Sequence, residues 1–299
     1  MFRETALPKA CGGIKTARMY HVPHMTPFLQ VLRPAACALG LAATLAGCAT
    51  PLPAPPEALV KLASAPHRGP NNVARDKFRN PLETLTFFGI REDSTVVEIL
   101  PGSGGYYMEL LAPYLKDKGR YIAANRDAAA PPQYLADHQK LLARLKAEPS
   151  LYDKVVVTPF NAGLHEIASP GSADLVITFR DLHNWIARDE LEGALRAFHR
   201  ALKPGGVLGV VDHRGLPNVA QEAQTKNGYV RQDAAIALIE KAGFRFAGAS
   251  EINANPLDTK DHPHGVWALP PTYRNKDVDR AKYQSIGESD RFTLRFIKP

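Results

Sequence analysis

The segment Val96–Tyr107, VVEILPGSGGYY, joins an apolar β-branched run to one carboxylate and then to three glycines set around a serine. The apolar run has the composition of a buried strand, and the glycines mark where it turns. Glycine there permits positive φ and lets a ligand or a second backbone approach without a Cβ in the way. On these residues alone two readings stay open: a pocket for a small cofactor, or a tight turn between a strand and a helix.

Outward from this segment the pattern alternates. PLETLTFFGI before it has helical spacing and ends at Gly89, and GYYMELLAPYL after it is helical again. Then come GRYIAAN as strand, PQYLADHQKLLARLKA as helix, KVVVTPF and ADLVITF as strands, RDELEGALRAFHRAL as helix and GVLGVVDH as strand. The strands read as nearly continuous apolar runs, which suits parallel strands covered on both faces, so the alternation predicts a doubly wound α/β sheet. QDAAIALIEKAGF predicts a helix, RFAGASEI a strand and, after a Pro-rich insertion, RFTLRFIK the last strand. Two terminal strands without a long helix between them are most simply antiparallel neighbours.

The N-terminal region has a different composition. Arg3, Lys9, Lys15, Arg18 and Arg33 against Glu4 alone give residues 1–47 a charge of +4 out of the chain's +7, leaving +3 for the rest. That modest remainder, with no basic run interleaved with aromatics, argues against nucleic acid as a partner. PAACALGLAATLAGC, Pro34 to Cys48, is too short to span a bilayer, which needs about 20 apolar residues, and reads as the apolar region of an export signal. Leu45, Ala46, Gly47 and Cys48 resemble the lipobox of bacterial lipoproteins, which implies lipidation at Cys48 and an envelope location facing the periplasm. Initiation at Met25 would bring this motif to an ordinary depth. The alternative is a chance apolar helix in a cytosolic protein. All three cysteines, Cys11, Cys37 and Cys48, lie in this leader, so the rest of the chain has no disulfides or thiolate metal sites. The Pro- and Ala-rich stretch that follows predicts a tether, giving an export signal over 1–47, a tether over 48–80 with a short helix from Pro56 to Ala63, and one folded domain over 81–299.

From about Pro81 onward the chain resembles class I S-adenosylmethionine (SAM)-dependent methyltransferases. Glu98 takes the acidic position at the end of the first strand, and Gly102 and Gly104 match the later glycines of that family's E/D-x-G-x-G-x-G loop. Leu100 and Pro101 stand where its first glycine would be. LKPGGVLGVVD and IEKAGFRF match the family's segments around strands five and six, and TFRDLHNW, EINANPLDTKDHPHGVW and IGESDRFTLRFIKP look like a bacterial group of predicted methyltransferases. The resemblance implies a Rossmann-like sheet of seven strands with an antiparallel last strand, and SAM as cofactor. A nicotinamide dehydrogenase is the nearest rival, but its G-x-G-x-x-G spacing does not fit, and the paired terminal strands argue against it.

Carried onto this sequence, the resemblance implies cofactor contacts from Glu98, Gly102, Ser103, Gly104, Tyr106, Asn125, Phe179 and Arg180. Asn125 stands where an acid usually holds the ribose hydroxyls, with Asp127 two residues on. Asn184 and Trp185 would border the acceptor, and Asp181, His183 and His213 are the candidates for positioning it or removing its proton. A structural role is the alternative for each: Asp181 as a helix cap, His183 as a satisfied buried histidine, Trp185 as core. Asp258, Asp261, His262 and His264 offer metal-ligating side chains without a firm ligand spacing; they read as a lid or surface loop, and no metal is expected. The sequence leaves the acceptor open among a small molecule, a lipid-like compound and an envelope component. Because SAM is made in the cytosol while the leader points outward, the second reading is a noncatalytic envelope lipoprotein that keeps this fold as a ligand-binding module.

Overall fold

The computed structural model describes residues 53–161 and 166–299; Cys48 and the expected export segment lie outside the described residues. The chain runs α1 (Glu57–Ala63), α2 (Pro70–Val73), α3 (Asp76–Arg79), α4 (Pro81–Phe88), β1 (Thr95–Ile99), α5 (Met108–Leu115), β2 (Arg120–Asn125), α6 (Pro132–Ala147), α7 (Pro149–Tyr152) and β3 (Val156–Pro159). It continues through β4 (Ala173–Phe179), α8 (Leu182–Ala187), α9 (Leu191–Ala201), β5 (Leu202–His213), α10 (Gln221–Thr225), α11 (Gln232–Lys241), β6 (Arg245–Ser250), α12 (Arg280–Ile286) and β7 (Arg291–Ile297). Among the described residues no helix is long and apolar enough to cross a membrane.

All seven strands form one sheet in the order β3-β2-β1-β4-β5-β7-β6. β1 through β5 pair in parallel, and β7 inserts antiparallel between β5 and β6. This is the mostly parallel α/β sheet with an antiparallel last strand that the sequence predicts. Strand side chains alternate between faces: Val97, Ile99 and Val176 join Trp185, Leu195 and Phe198 on one face, and Val96, Leu175 and Ile177 join Leu85, Leu110 and Leu111 on the other. Strand order reverses between β1 and β4, and such a switch point opens a crevice beyond the carboxyl ends of the strands.

The turn after β1 shows what its residues are for. Gly105, at φ 51, packs so tightly that a Cβ would lie 2.6 Å from Met108 Cε, whereas a Cβ on Gly104 would meet nothing within 4 Å. Leu100, in the first-glycine position of the expected loop, takes φ 52 without being glycine. The turn therefore keeps the left-handed conformation and accepts the strain of a Cβ there.

Residues 57–80 correct the expected tether. α1 lies against the domain with Leu59 fully buried among the residues of α4 and α5, a burial that stabilises by about 1.5–3 kcal/mol. His67 Nε2 bonds the Glu109 carbonyl at 2.8 Å, and buried Arg68 donates to Asp76 at 2.5 and 3.0 Å. Composition misleads here because the prolines lie outside the helix interiors, before α1, in the turn at Pro66 and at the first position of α2, where they do not interrupt a helix.

Candidate functional site at the switch point

Two cavities open at the carboxyl edge of the sheet. The first, about 90 Å³, is lined by Leu100, Arg126, Tyr134, Phe160, Trp185 and Arg188 among others. Its walls are largely flat and apolar, and Arg126 stacks its guanidinium 3.8 Å from the Tyr134 ring. Nearby, at the end of β2, Asn125 is 2% exposed, and its Nδ2 has no hydrogen-bond partner. Thr178 Oγ1 near the end of β4 and Asn161 Oδ1 after β3 are likewise buried and unpartnered. Buried polar atoms left unpaired are uncommon and call for an explanation. Hydroxyl-bearing nucleoside chemistry matches these groups: a ring for the aromatic wall, hydroxyls for the amides.

The glycine loop itself is held largely by the protein. Asp137 accepts from the Ser103 amide at 3.1 Å and from its hydroxyl at 2.5 Å, and the Gly104 carbonyl accepts from Arg144 at 2.9 Å and Asn72 at 3.0 Å. Gly102, at φ 63, faces the Asp137 carboxylate. Glu98 shares a strand face with Val96, so its carboxyl turns into the core and accepts the Tyr121 hydroxyl at 2.6 Å; burial pushes it up to about 7. Tyr106 donates to Asp76 at 2.6 Å, under the guanidinium of Arg79. Glu98 and Tyr106 thus support the loop from behind and do not line either cavity.

The second cavity, about 140 Å³, lies beyond β4 and β5 and is lined by Arg180, His183, Asn184, His213, Trp267, Glu288 and Ser289 among others. His183 Nδ1 lies 2.9 Å from Asp212 Oδ1, both buried. Asp212 also accepts the backbone amides of His183 and His213 at 3.2 and 2.6 Å, which fixes its carboxylate. Burial pulls the His183 imidazole down, but the Asp212 charge and hydrogen bond outweigh it and the net direction is up. His213 goes the other way: burial, then the charges of His183 and Arg180, hold it well below the ordinary histidine range, with Nδ1 2.5 Å from Ser289 Oγ. A raised imidazole and a depressed one thus stand side by side, their rings 5.1 Å apart.

The structure brings His183, His213, Asn184 and Arg180 together at this cavity. Asp181 sits at the N-cap of α8 without a side-chain capping bond; burial pushes its carboxyl up, and it accepts from Asn184 Nδ2 at 3.4 Å. Phe179, expected at the cofactor, stacks on Tyr107 with centroids 3.7 Å apart in the buried core and lines neither cavity. Trp185, expected at the acceptor, instead lines the first cavity and packs edge-on to Phe160 and Phe198. Ser289 and Trp267 are contributors that the sequence reading did not single out, and Asp212, at the end of the same strand as His213, takes the role of holding both histidines.

His183, Asp212 and His213 bring three ligand-capable atoms within 4.8 Å of one another. Arg180 raises the potential there, and with it the electrostatic work of seating a cation. The other acid–imidazole group is committed elsewhere: Asp258 accepts the Tyr229 hydroxyl at 2.9 Å, the Asp290 amide at 2.8 Å and His262 Nε2 at 2.9 Å, while Asp261 and His264 are exposed.

No protein-family model and no curated protein matches the sequence. Solved structures do match the fold. A SAM-dependent methyltransferase from Aquifex aeolicus superposes with TM-score 0.52 at 14% identity, over 81% of this chain and 98% of its own. The 4+2 cyclase SpnF superposes with TM-score 0.53 at 14% identity, over 84% and 99%. The chain has the Rossmann-like fold of SAM-dependent methyltransferases, and at this identity the likeness speaks to fold alone.

Proposed function

We propose that the chain is a SAM-dependent methyltransferase acting on a small-molecule or envelope-component acceptor. The observation that carries this reading is the unpartnered, buried Asn125 Nδ2 beside an aromatic-walled cavity, with a histidine–carboxylate pair across the switch point. Asn125, Tyr134, Phe160 and Trp185 would hold the nucleoside, with Leu100 narrowing the space beside them. When bound, SAM supplies an electrophilic methyl group on a sulfonium. Against it, Arg180, Asn184 and Trp267 would orient the acceptor, since alignment of nucleophile and methyl carbon supplies much of the acceleration. Where the acceptor must lose a proton, His183 takes it at Nε2, with Nδ1–H held by Asp212 so that the imidazole keeps one tautomer. Glu98, Gly102, Ser103, Gly104 and Tyr106 shape the turn on which this arrangement rests.

The proposed address is the cell envelope, by lipidation at Cys48. A second reading, a noncatalytic envelope lipoprotein that binds another ligand, is favoured by Asp137 occupying the Ser103 amide and by Leu100 in the first-glycine position. Calorimetric titration with SAM and with its demethylated product, S-adenosylhomocysteine (SAH), separates the two: saturable heat supports the first, and none from either ligand removes the cofactor. Fractionating cells that carry Cys48 or Cys48→Ser tests the address; a wild type found in the cytosol overturns it.

A further inference from the structure

We infer that the methyl acceptor carries an anionic group, a carboxylate or phosphate, received by Arg180 with the backing of Arg75, Arg79 and Arg291. The inference rests on the methyltransferase reading for the word acceptor, and on the charges around the second cavity for the rest.

Glu288 is a buried carboxylate shared among three guanidinium groups: Arg75 Nε at 2.6 Å, Arg79 Nε at 3.1 Å and Arg291 Nη1 at 3.0 Å. They hold it down at about 2 against the opposing effect of burial. Its charge is thus spent three times over, and Arg75 Nη2 and Arg79 Nη2 remain buried without a hydrogen-bond partner. Arg180 is the fourth cation, and no carboxylate among the described residues lies within ion-pair distance of it. Burial and the charges of Arg79, Arg291 and Arg75 depress its guanidinium to about 9, with Glu288 opposing. Arg79 and Arg291 are buried and Arg75 and Arg180 half-buried, and such a cluster of cations exceeding its anions is costly unless a ligand supplies the missing charge.

The position of the excess identifies which ligand. Arg180 and Glu288 line the cavity that holds His183, His213 and Trp267, not the one beside Asn125. A cation there is also poor company for a sulfonium, and an anionic acceptor would offset both charges. Arg fits such a group bidentately, which orients the acceptor as well as attracting it. At about 140 Å³ the cavity has room for a phosphate or carboxylate head with a few further atoms.

The test is a thermal-shift titration of the full chain without cofactor, using inorganic phosphate and succinate at fixed ionic strength against chloride. Saturable stabilisation by either is expected, lost in Arg180→Gln and tightened at least threefold in Glu288→Gln, which removes the competing carboxylate. The stronger of the two responses identifies the head group. If wild type and Glu288→Gln respond no more to these anions than to chloride, the inference fails. It also fails if Arg180→Gln keeps the anion response while weakening SAH but not 5′-methylthioadenosine, because the cluster would then serve the cofactor's own carboxylate. SAH binding by the wild type is measured separately, so a failure of the methyltransferase reading is distinguishable from a failure here.

Discussion

His183 and Asp212 form a buried pair, Nδ1 to Oδ1 at 2.9 Å, and the same carboxylate fixes the backbone at both histidines of the second cavity. Removing the charge alone, by Asp212→Asn, should drop the His183 midpoint from above the ordinary value of 6.5 to below it, because burial, the largest influence, and Arg180 are then opposed only by the charge of Asp181. The sign for stability follows: the raised wild-type imidazole contributes stability below pH 6.5 that is lost as pH rises through its folded midpoint, and the variant lacks this contribution. Histidine-resolved NMR titration reads the midpoint directly. An unmoved midpoint would show that Asp212 does not set the charge of His183.

Asn125 is testable in both directions. Asn125→Ala removes the donor next to the aromatic-walled cavity and should weaken SAH about 5- to 10-fold, the size of one hydrogen bond of roughly 1–1.5 kcal/mol. Asn125→Asp should tighten it, since a carboxylate accepts from hydroxyls more strongly than an amide does. Calorimetry that finds both variants equal to wild type would place the ribose elsewhere.

Leu100 combines left-handed backbone with a side chain that intrudes on the first cavity. Leu100→Gly relieves a strain of about 1–2 kcal/mol but gives up packing and stiffens nothing, so folding stability should change little. The cavity, however, gains a side chain's volume, and SAH should bind severalfold tighter. Weaker binding in a folded variant would mean that the leucine is part of the ligand's wall and not an obstruction.

Burial pushes the carboxyl of Glu98, which accepts from Tyr121, up to about 7 from its ordinary 4.5. The folded state therefore binds this proton more tightly than the unfolded chain. Stability falls as pH rises from 4.5 to 7, by about 3 kcal/mol from this group, and is flat beyond. Glu288, depressed to about 2, acts in a separate window, contributing stability above pH 4.5 that is lost as pH falls towards 2. Glu98→Gln should erase the 4.5–7 component, so that the difference between variant and wild type in urea denaturation grows across that interval. A pH-independent difference would contradict the assignment.

How much of this was legible depends on how local each signal is. The continuous apolar runs of β1 and β4 and the two unbridged terminal strands determine the sheet, because burial on both faces leaves no polar alternation. The orientation of Glu98 was also readable: it lies two residues from Val96 and so shares the face that packs on α5. The position of Trp185 at the first cavity is not local information, since the rotation of the short α8 decides which cavity it meets. The arginine cluster left no local trace at all. Arg75 and Arg79 meet Glu288 from 213 and 209 residues away, and only the inserted β7 brings them together.

Leu59 decides whether residues 57–80 belong to the folded unit. It is fully buried among side chains of α4 and α5, whereas its neighbour Val60 is 41% exposed. Leu59→Ala should lower unfolding stability by about 2–5 kcal/mol through lost burial and the cavity left behind, while Val60→Ala stays within about 0.5 kcal/mol. Because α1 and α5 are in contact, and α5 starts from the turn that carries Gly102 to Gly105, the loss should arrive as one cooperative transition with an unchanged denaturant slope. A Leu59→Ala midpoint equal to that of wild type would return this segment to the role of a tether.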